Sequence, residues 1–240
     1  VANPSVLSQH VPCVVSGPQD ETCYQQLAEN LGRLMFRRPV VQEEVTWITD
    51  LAMLASVELG FMGGVEWAIR GMLQSPHFLY IQEIGEPIEG GNGKRLLTDY
   101  ELASRMSFFL TDTTPDVELL AAAESGELSD PDEIRAHAER LIERPEAQAT
   151  LMRVFAEAYL FEEVMSSQKD ATFHPDFTDN LRPAMVEEVE RLFDDIVWAR
   201  DTSMHELFTA DYTFVNEDLA LFYNLPPPIG GEPWHKVDYP

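Results

Sequence analysis

The chain has 240 residues, and its 42 acidic side chains outnumber its 16 basic ones, which gives a formal net charge of −26. A hydrophobic content of 45% is enough for a packed core and argues against intrinsic disorder. Because a surface this negative repels nucleic acids and anionic membranes, the charge excludes a simple polyanion-binding protein.

The spacing of apolar residues predicts helices along the N-terminal third of the chain. The first is expected over residues 22–37, and Pro39 ends it. Two more are expected over residues 42–59 and 61–74, separated by Gly60 as a helix stop. We predict no membrane span, because no stretch reaches the ~18 uncharged apolar residues that a span needs. The first four residues do not resemble a signal peptide.

A cluster of turn-forming residues at 90–93 then predicts a linker. Directly after it, Thr98 and Glu101 have the spacing of a capping box, which predicts a helix start. Arg105 follows Glu101 by four residues, so we expect these two side chains to pair on one helix face. Apolar spacing and proline positions predict further helices at 115–124, 131–143, 145–164, 180–200 and 216–223.

These elements together predict an all-α, multi-helical fold. We expect two packed helical modules, over residues 1–88 and 96–225, joined by the Gly-rich linker and followed by a Pro/Gly-rich tail over residues 226–240. The charge is divided unevenly between them: residues 1–95 have a net charge of −5 and residues 96–240 a net charge of −21. Such an acidic face is usually a solvated surface, and the alternative is a docking face for a basic partner or for cations.

The sequence lacks the usual signatures of catalysis and covalent haem attachment. It contains no Cys-x-x-Cys-His, no Gly-x-Ser-x-Gly and no His-Glu-x-x-His. Glu133 and His137 are four residues apart on a predicted helix and could share a face as metal ligands. Two ligands do not make a site, and the neighbouring charges favour an ion pair at the surface. We therefore predict no metal site.

The two cysteines, Cys13 and Cys23, allow two interpretations. A disulfide would close a short loop and attach the N-terminal coil to the first helix. Alternatively, they are two unrelated thiols, because two cysteines are too few to define a disulfide framework. The residues alone leave both open.

Several segments resemble a known bacterial family. Residues 36–40 (FRRPV) with 75–80 (SPHFLY) resemble one of its modules, and residues 100–105 (YELASR) with 210–216 (ADYTFVN) resemble the neighbouring module. These are the modules numbered fifteen-ninety-five and fifteen-ninety-two of a domain-of-unknown-function family. The family occurs in exported, cytochrome-c-associated proteins of planctomycetes and myxobacteria.

The resemblance implies an exported protein, located in the periplasm, at the cell surface or outside the cell. It implies a disulfide between Cys13 and Cys23, because many relatives have a cysteine near each position. Relatives usually continue beyond the position of Pro240, so a c-type haem is expected on a downstream segment and no cofactor is expected in this chain. Since ligand sites concentrate at domain junctions, we expect a pocket where the two modules meet, around His77, Tyr80, Arg105, Asp211 and Asn216.

The function expected from these observations is a non-catalytic docking or assembly role in an exported multidomain protein with a redox association. Its partner would be a basic protein or further domains of the same protein. One alternative is part of an extracytoplasmic haem-linked oxidoreductase whose cytochrome segment is absent from this chain. Another is a cation-binding module that uses the acidic second half.

Overall fold

The computed structural model describes residue 11 and residues 13–240. The chain divides into two compact units, Val1–Gln148 and Ala149–Pro240. The prediction that the first four residues are not a signal peptide falls on residues outside the described part of the chain.

Helices form most of the first unit. In chain order they are α1 (Glu21–Phe36), α2 (Gln42–Gln74), α3 (Pro76–Leu79), α4 (Asp99–Thr111), α5 (Val117–Ser125) and α6 (Pro131–Ile142), and α7 (Pro145–Ala158) crosses into the second unit. A short 3-10 turn, Glu127–Ser129, lies between α5 and α6. The strands β1 (Glu86–Pro87) and β2 (Arg95–Leu96) pair antiparallel between α3 and α4.

The second unit combines helices with a small antiparallel ladder. It contains α8 (Phe161–Ser166), α9 (Leu181–Phe193) with a π-helical continuation (Asp194–Ala199), a 3-10 turn (Met204–Phe208), β3 (Tyr212–Val215), α10 (Glu217–Tyr223) and β4 (His235–Asp238). Helix accounts for 61% of the structure and strand for 5%, which confirms the all-α prediction.

The segment predicted as a tail provides strand β4. Residues 235–238 alternate between half-buried and exposed positions, which is the pattern of a strand with one covered face. β4 pairs antiparallel with β3, with Tyr212 opposite Asp238, and Val237 packs on the apolar core of this unit. The prolines and glycines at residues 226–231 therefore precede a structured element rather than a free end.

Helix α2 is a hairpin of two antiparallel arms. Gly60 has φ 69° and ψ −176°, which breaks the helix at the predicted position. A Cβ atom at Gly64 would lie 2.8 Å from the carbonyl oxygen of Ala52. In a straight helix, residues twelve apart are separated by about 18 Å, so the second arm must fold back along the first.

The hairpin bears on the prediction that the chain has no membrane span. By length and composition alone, α2 could cross a membrane, and 39% of its most apolar window is buried. Because the helix reverses at Gly60, each arm is shorter than the ~20 residues that a span requires. The absence of a span remains a prediction.

The predicted module boundary differs from the division between the compact units. Residues 90–93 form the loop between β1 and β2, and the segments on either side of this loop belong to the same unit. Arg33 on α1 forms an ion pair with Glu124 on α5 at 2.6 Å, and Glu101 on α4 accepts hydrogen bonds from the backbone before β1. These contacts join α5 to α1 and join α4 to the segment before β1. The compact units instead divide between Gln148 and Ala149, inside α7.

The disulfide between Cys13 and Cys23 is confirmed. Cys23 is buried on α1, and Cys13 packs against the same apolar core. The bond therefore attaches the N-terminal coil to the first helix. Structural disulfides are typical of oxidising, extracytoplasmic compartments.

Replacing both Cys13 and Cys23 with serine should lower the free energy of unfolding by about 2–3 kcal/mol, because the bond closes a loop of about ten residues in the unfolded chain. Urea unfolding of the oxidised protein and of the double variant measures the difference. Reductant should lower the stability of the wild-type protein to that of the variant and leave the variant unchanged. A wild-type protein that is insensitive to reductant would contradict this prediction.

Candidate functional site

A pocket of about 340 Å³ lies in the first unit, where the segment after α3 meets the start of α4. Its lining combines one imidazole and two guanidinium groups with hydroxyl, amide, carboxylate and aromatic side chains. The lining residues are Phe36, Arg37, Arg38, His77, Gln82, Thr98, Tyr100, Glu101 and Ser104.

Arg37 binds the backbone on one side of this pocket. Its backbone has φ 58°, in the left-handed region that ends α1, and its side chain is turned inward and buried. The guanidinium donates hydrogen bonds to four backbone carbonyl oxygens, those of Met35 (3.1 Å), His77 (2.6 Å), Phe78 (3.4 Å) and Tyr80 (2.9 Å). Burial, with a smaller effect of Arg38, lowers the pKa of Arg37 from its usual value. Arg37 therefore fixes α3 against the end of α1.

Glu44 is the acceptor at the centre of a second network. Its buried carboxylate accepts two hydrogen bonds from Arg38, at 2.9 and 2.7 Å, and one from the Val41 N–H at 3.0 Å. His77 Nε2 lies 3.2 Å from the same carboxylate, and His77 Nδ1 lies 3.1 Å from Gln82 Oε1. Burial alone would raise the pKa of Glu44, but the hydrogen bonds from Arg38 and Val41 outweigh it and hold the pKa below its ordinary value. The carboxylate is therefore kept ionised.

The capping box predicted at the start of α4 is confirmed, and it performs a second role. The Thr98 hydroxyl accepts from the Glu101 N–H, and the Glu101 carboxylate accepts from the Thr98 N–H at 2.8 Å. The same carboxylate also accepts from the N–H groups of Ile84 and Gly85, at 2.7 and 3.0 Å. Desolvation would raise the pKa of Glu101, but these backbone donors lower it overall. Glu101 thus joins the strand-ladder segment to α4.

The predicted pairing of Arg105 with Glu101 is wrong. Arg105 forms its ion pair with Glu83, because the carboxylate of Glu101 is occupied by backbone donors. The ion pair of Arg105 with Glu83 adds a second link between the segment before β1 and α4, beside the bonds that Glu101 makes to Ile84 and Gly85.

The five residues predicted for an inter-module pocket are distributed over both units. His77 lines the pocket, Arg105 contributes to its support through Glu83, and the exposed Tyr80 takes part through its carbonyl oxygen. Asp211 and Asn216 belong to the second unit, where the Asp211 carbonyl accepts from the Tyr239 N–H at 2.8 Å and Asn216 caps α10. The residues lining the pocket all belong to the first unit.

Most of the pocket's polar residues were not selected from the sequence. Arg38 is in the FRRPV segment that carried the resemblance, but its bidentate contact with Glu44 depends on how α1 and α2 are turned. Glu44 has the sequence signal of an acidic residue in a first helical turn, which usually indicates a capping role. Its burial against His77 could not be inferred from that signal.

A second concave surface lies on the α2 hairpin and is mainly apolar. It encloses about 420 Å³ and is lined by Leu51, Leu54, Ala55, Val57, Glu58, Leu59 and Trp67. We call it the hairpin groove. Its walls are strongly exposed: Leu54 is 74% exposed, Val57 67% and Leu59 57%. Contiguous exposed apolar surface on an otherwise charged protein typically marks an interaction site.

The second unit contains a buried carboxyl group. Glu188 on α9 accepts hydrogen bonds from the hydroxyl groups of Thr213 and Tyr223 and is 8% exposed. Burial raises the pKa of Glu188, and the two hydroxyl donors offset only part of that effect. Burial, and then the nearby Glu188 charge, also raise the pKa of Tyr223. This network packs α9 against β3 and α10.

A polar cluster in the same unit joins β3 to β4. The Tyr212 hydroxyl donates to Asp195 at 2.7 Å and accepts from Arg200 at 2.7 Å. Lys236 lies 3.1 Å from Asp195, and its ammonium sits 3.5 Å from the centroid of the Tyr212 ring. Burial would raise the pKa of Asp195, but the hydrogen bonds from Tyr212 and Lys236 lower it overall. The cluster therefore holds the C-terminal strand in place.

Two protein-family models match the chain. The model of PSD5, a protein of unknown function (DUF1595), matches residues 23–83. The model of PSD4, a protein of unknown function (DUF1592), matches residues 97–225, which are 129 of the 240 residues. Comparisons with curated proteins and with solved structures give no significant match. The chain therefore belongs to the PSD4 family of proteins of unknown function (DUF1592).

Proposed function

We propose that this chain is a non-catalytic docking module of an exported, redox-associated multidomain protein. In this proposal, the hairpin groove binds a basic amphipathic helix, provided by a partner protein or by another domain of the same protein. The observation that carries it is the exposure of three aliphatic side chains at adjoining positions of the groove, Leu54, Val57 and Leu59.

The apolar lining of the hairpin groove favours contact with the apolar face of such a helix. Covering apolar surface is favourable by about 25 cal/mol for each Å² removed from water. Trp67 in the groove wall is 41% exposed and offers a large, rigid contact of the kind that dominates binding energy at interfaces. An amphipathic helix that enters an apolar groove is a common mode of peptide recognition.

The negative charges around the hairpin groove favour a partner with basic residues. Glu58 lines the groove, and the exposed Asp50 and Glu66 adjoin lining residues in the sequence. Glu66 is paired with Arg70, and residues 1–95, which include the groove, have a net charge of −5. Lysine or arginine flanking the apolar face of the partner would therefore be attracted, and association should weaken as salt screens these charges.

The contacts in the 340 Å³ pocket support a structural role for its polar groups. Arg37 binds four carbonyl oxygens, Arg38 and His77 bind Glu44, and Glu101 binds backbone N–H groups. The contacts of Arg37, Arg38 and His77 connect α1, α2 and α3 to one another, and Glu101 connects α4 to the segment before β1. The side chains that resemble catalytic residues are thus used to build the scaffold that presents the groove.

The test is calorimetric titration with a synthetic helix that has a leucine face flanked by lysines. We expect Leu54→Asp to weaken binding by about tenfold or more, because it places a charge on the apolar contact surface. Leu221→Asp is the matched control, since Leu221 is 83% exposed on α10 of the second unit, and it should bind like wild type. Raising the salt concentration should weaken the wild-type interaction.

Three results would count against the proposal. The first is equal loss of binding in both variants, and the second is equal affinity for a peptide with a scrambled leucine face. The third is binding to uncharged lipid vesicles in preference to the peptide, which would assign the groove to a membrane surface. Turnover of a redox substrate that is lost on changing His77 would favour the oxidoreductase alternative.

A further inference from the structure

We infer that Glu127, Glu133 and His137 form a binding site for a divalent cation of the zinc class. The three side chains line an open cleft of about 610 Å³ in the first unit. One potential ligand atom from each lies within 4.8 Å of the others. The sequence suggested only Glu133 and His137 and favoured an ion pair, and the fold adds Glu127 as a third ligand.

His137 is the observation that points to a ligand. Its side chain is on α6, is 9% exposed, and lies against the two carboxylates. Its Nδ1 has no hydrogen-bond partner among the residues that the structure describes. A buried polar atom without a partner costs free energy, so an imidazole in this state needs a reason to stay buried. Coordination of a metal ion by the ring would provide that reason, and the two neighbouring carboxylates would be the other ligands.

The local sequence holds the three ligands on regular elements. Gly126 has φ 81° and ends α5, so that the chain turns directly into the 3-10 turn that carries Glu127. Asp130 then caps α6 by accepting from the Asp132 N–H, with Pro131 in its first turn. Glu133 and His137 are one helical turn apart and share one face of α6, and their ligand atoms lie within 4.8 Å of that of Glu127 in the preceding turn.

The donor set fits a borderline cation better than a hard one. Zinc binds imidazole nitrogen and carboxylate oxygen at about 2.0–2.2 Å, with three protein ligands and water in the fourth position of open sites. Such ligands lie about 3.3 Å apart, so the exposed glutamates must close by up to about 1.5 Å, which rotation of their flexible side chains allows. Calcium prefers a shell made entirely of oxygen atoms, which His137 does not provide.

The charge of the cleft also favours a cation. Arg140 lines the cleft, but its guanidinium is bound to Asp116 at 2.7 Å and to Glu118 at 3.0 Å. Its positive charge is therefore neutralised by carboxylates outside the ligand set. The two glutamates near His137 are left to attract the metal.

The test is calorimetric titration of the tag-free protein with Zn²⁺. We expect one ion to bind per chain. Glu127→Gln and Glu133→Gln should each weaken binding by about tenfold or more, because each substitution removes an anionic ligand. Glu139→Gln is the matched control, since it makes the same charge change on the same helix outside the ligand set, and it should leave the affinity unchanged. With Co²⁺ as the probe, the visible absorption of the bound ion should disappear in His137→Gln.

Two outcomes of the Zn²⁺ titration would overturn the inference. One is the absence of binding heat at Zn²⁺ concentrations of about 100 µM. The other is unchanged affinity in both glutamate variants, which would place the ion at another histidine. Both glutamates are exposed, so their variants should fold, and circular dichroism verifies this before the titration. Calcium serves as the second probe, and equal affinity for Ca²⁺ would overturn the assignment to the zinc class.

Discussion

Replacing Arg37 with methionine should lower the free energy of unfolding of the first unit by about 3 kcal/mol. The buried guanidinium donates to four carbonyl oxygens, and those of His77 and Tyr80 receive its two shortest bonds. Methionine fills the volume of the side chain but donates to none of these acceptors, so four part-buried carbonyl groups lose the guanidinium as a partner. The measurement is the midpoint of urea unfolding, compared at constant slope with wild type.

Two further variants make this prediction specific. Arg37→Lys keeps the charge but loses the planar fork, so we expect an intermediate loss of stability. Arg70→Met removes an exposed arginine that pairs with Glu66 on the same helix, and it should change stability by less than about 0.5 kcal/mol. If the Arg37 and Arg70 variants lose equal stability, the guanidinium of Arg37 does not anchor α3.

Replacing Glu188 with alanine should lower the free energy of unfolding of the second unit by about 2–3 kcal/mol, because the buried hydroxyl groups of Thr213 and Tyr223 would lose their acceptor. Glu188→Gln keeps a side chain of the same shape with an oxygen acceptor. It should therefore be much less destabilising than alanine, and at neutral pH it removes the cost of burying a charge.

The pH dependence of the Glu188 effect has a definite sign. Because burial raises the pKa of Glu188 in the folded state, the folded protein holds this proton at pH values where the unfolded chain has lost it. Stability from this group is therefore full below the ordinary glutamate pKa of about 4.3 and falls as pH rises through the raised folded value. The amide introduced by Glu188→Gln does not titrate, so the stability difference between this variant and wild type should grow in favour of the variant over that range. A difference that is constant with pH would contradict the burial effect.

The sequence predicts most local elements because their signals are local. The capping box at Thr98, the stop at Gly60 and the prolines at helix starts each act over a few residues, and the structure contains helices at these places. The disulfide, which the residues alone left open, was implied by the family resemblance and is confirmed. These features depend little on distant packing.

Features that depend on contacts between distant residues could not be predicted from the sequence. The compact units divide inside α7, where a continuous helix carries no proline or glycine cluster to mark a boundary. The glycines at residues 90, 91 and 93 lie in the loop of a short strand ladder within one compact unit, and the division into modules at 1–88 and 96–225 stays a prediction. Strand β4 was missed because four residues stabilise a strand only when a partner is present, and β3 lies about 20 residues earlier in the chain.

The candidate sites show the same limit. His77 lies in a family motif, but the network around it uses Glu44, which comes 33 residues earlier in the chain, as well as the nearby Gln82. The third ligand of the inferred metal site, Glu127, comes from a turn that follows a different helix from the one carrying His137. Helical spacing relates residues within one element and cannot show which elements meet.

The most direct test of the docking function is an NMR titration of the methyl groups with the basic amphipathic peptide. We predict that the methyl signals of Leu51, Leu54, Val57 and Leu59 shift together and saturate at one peptide per chain, while that of Leu221 stays in place. Shifts confined to residues outside the hairpin groove, or none at saturating peptide, would contradict the proposed function.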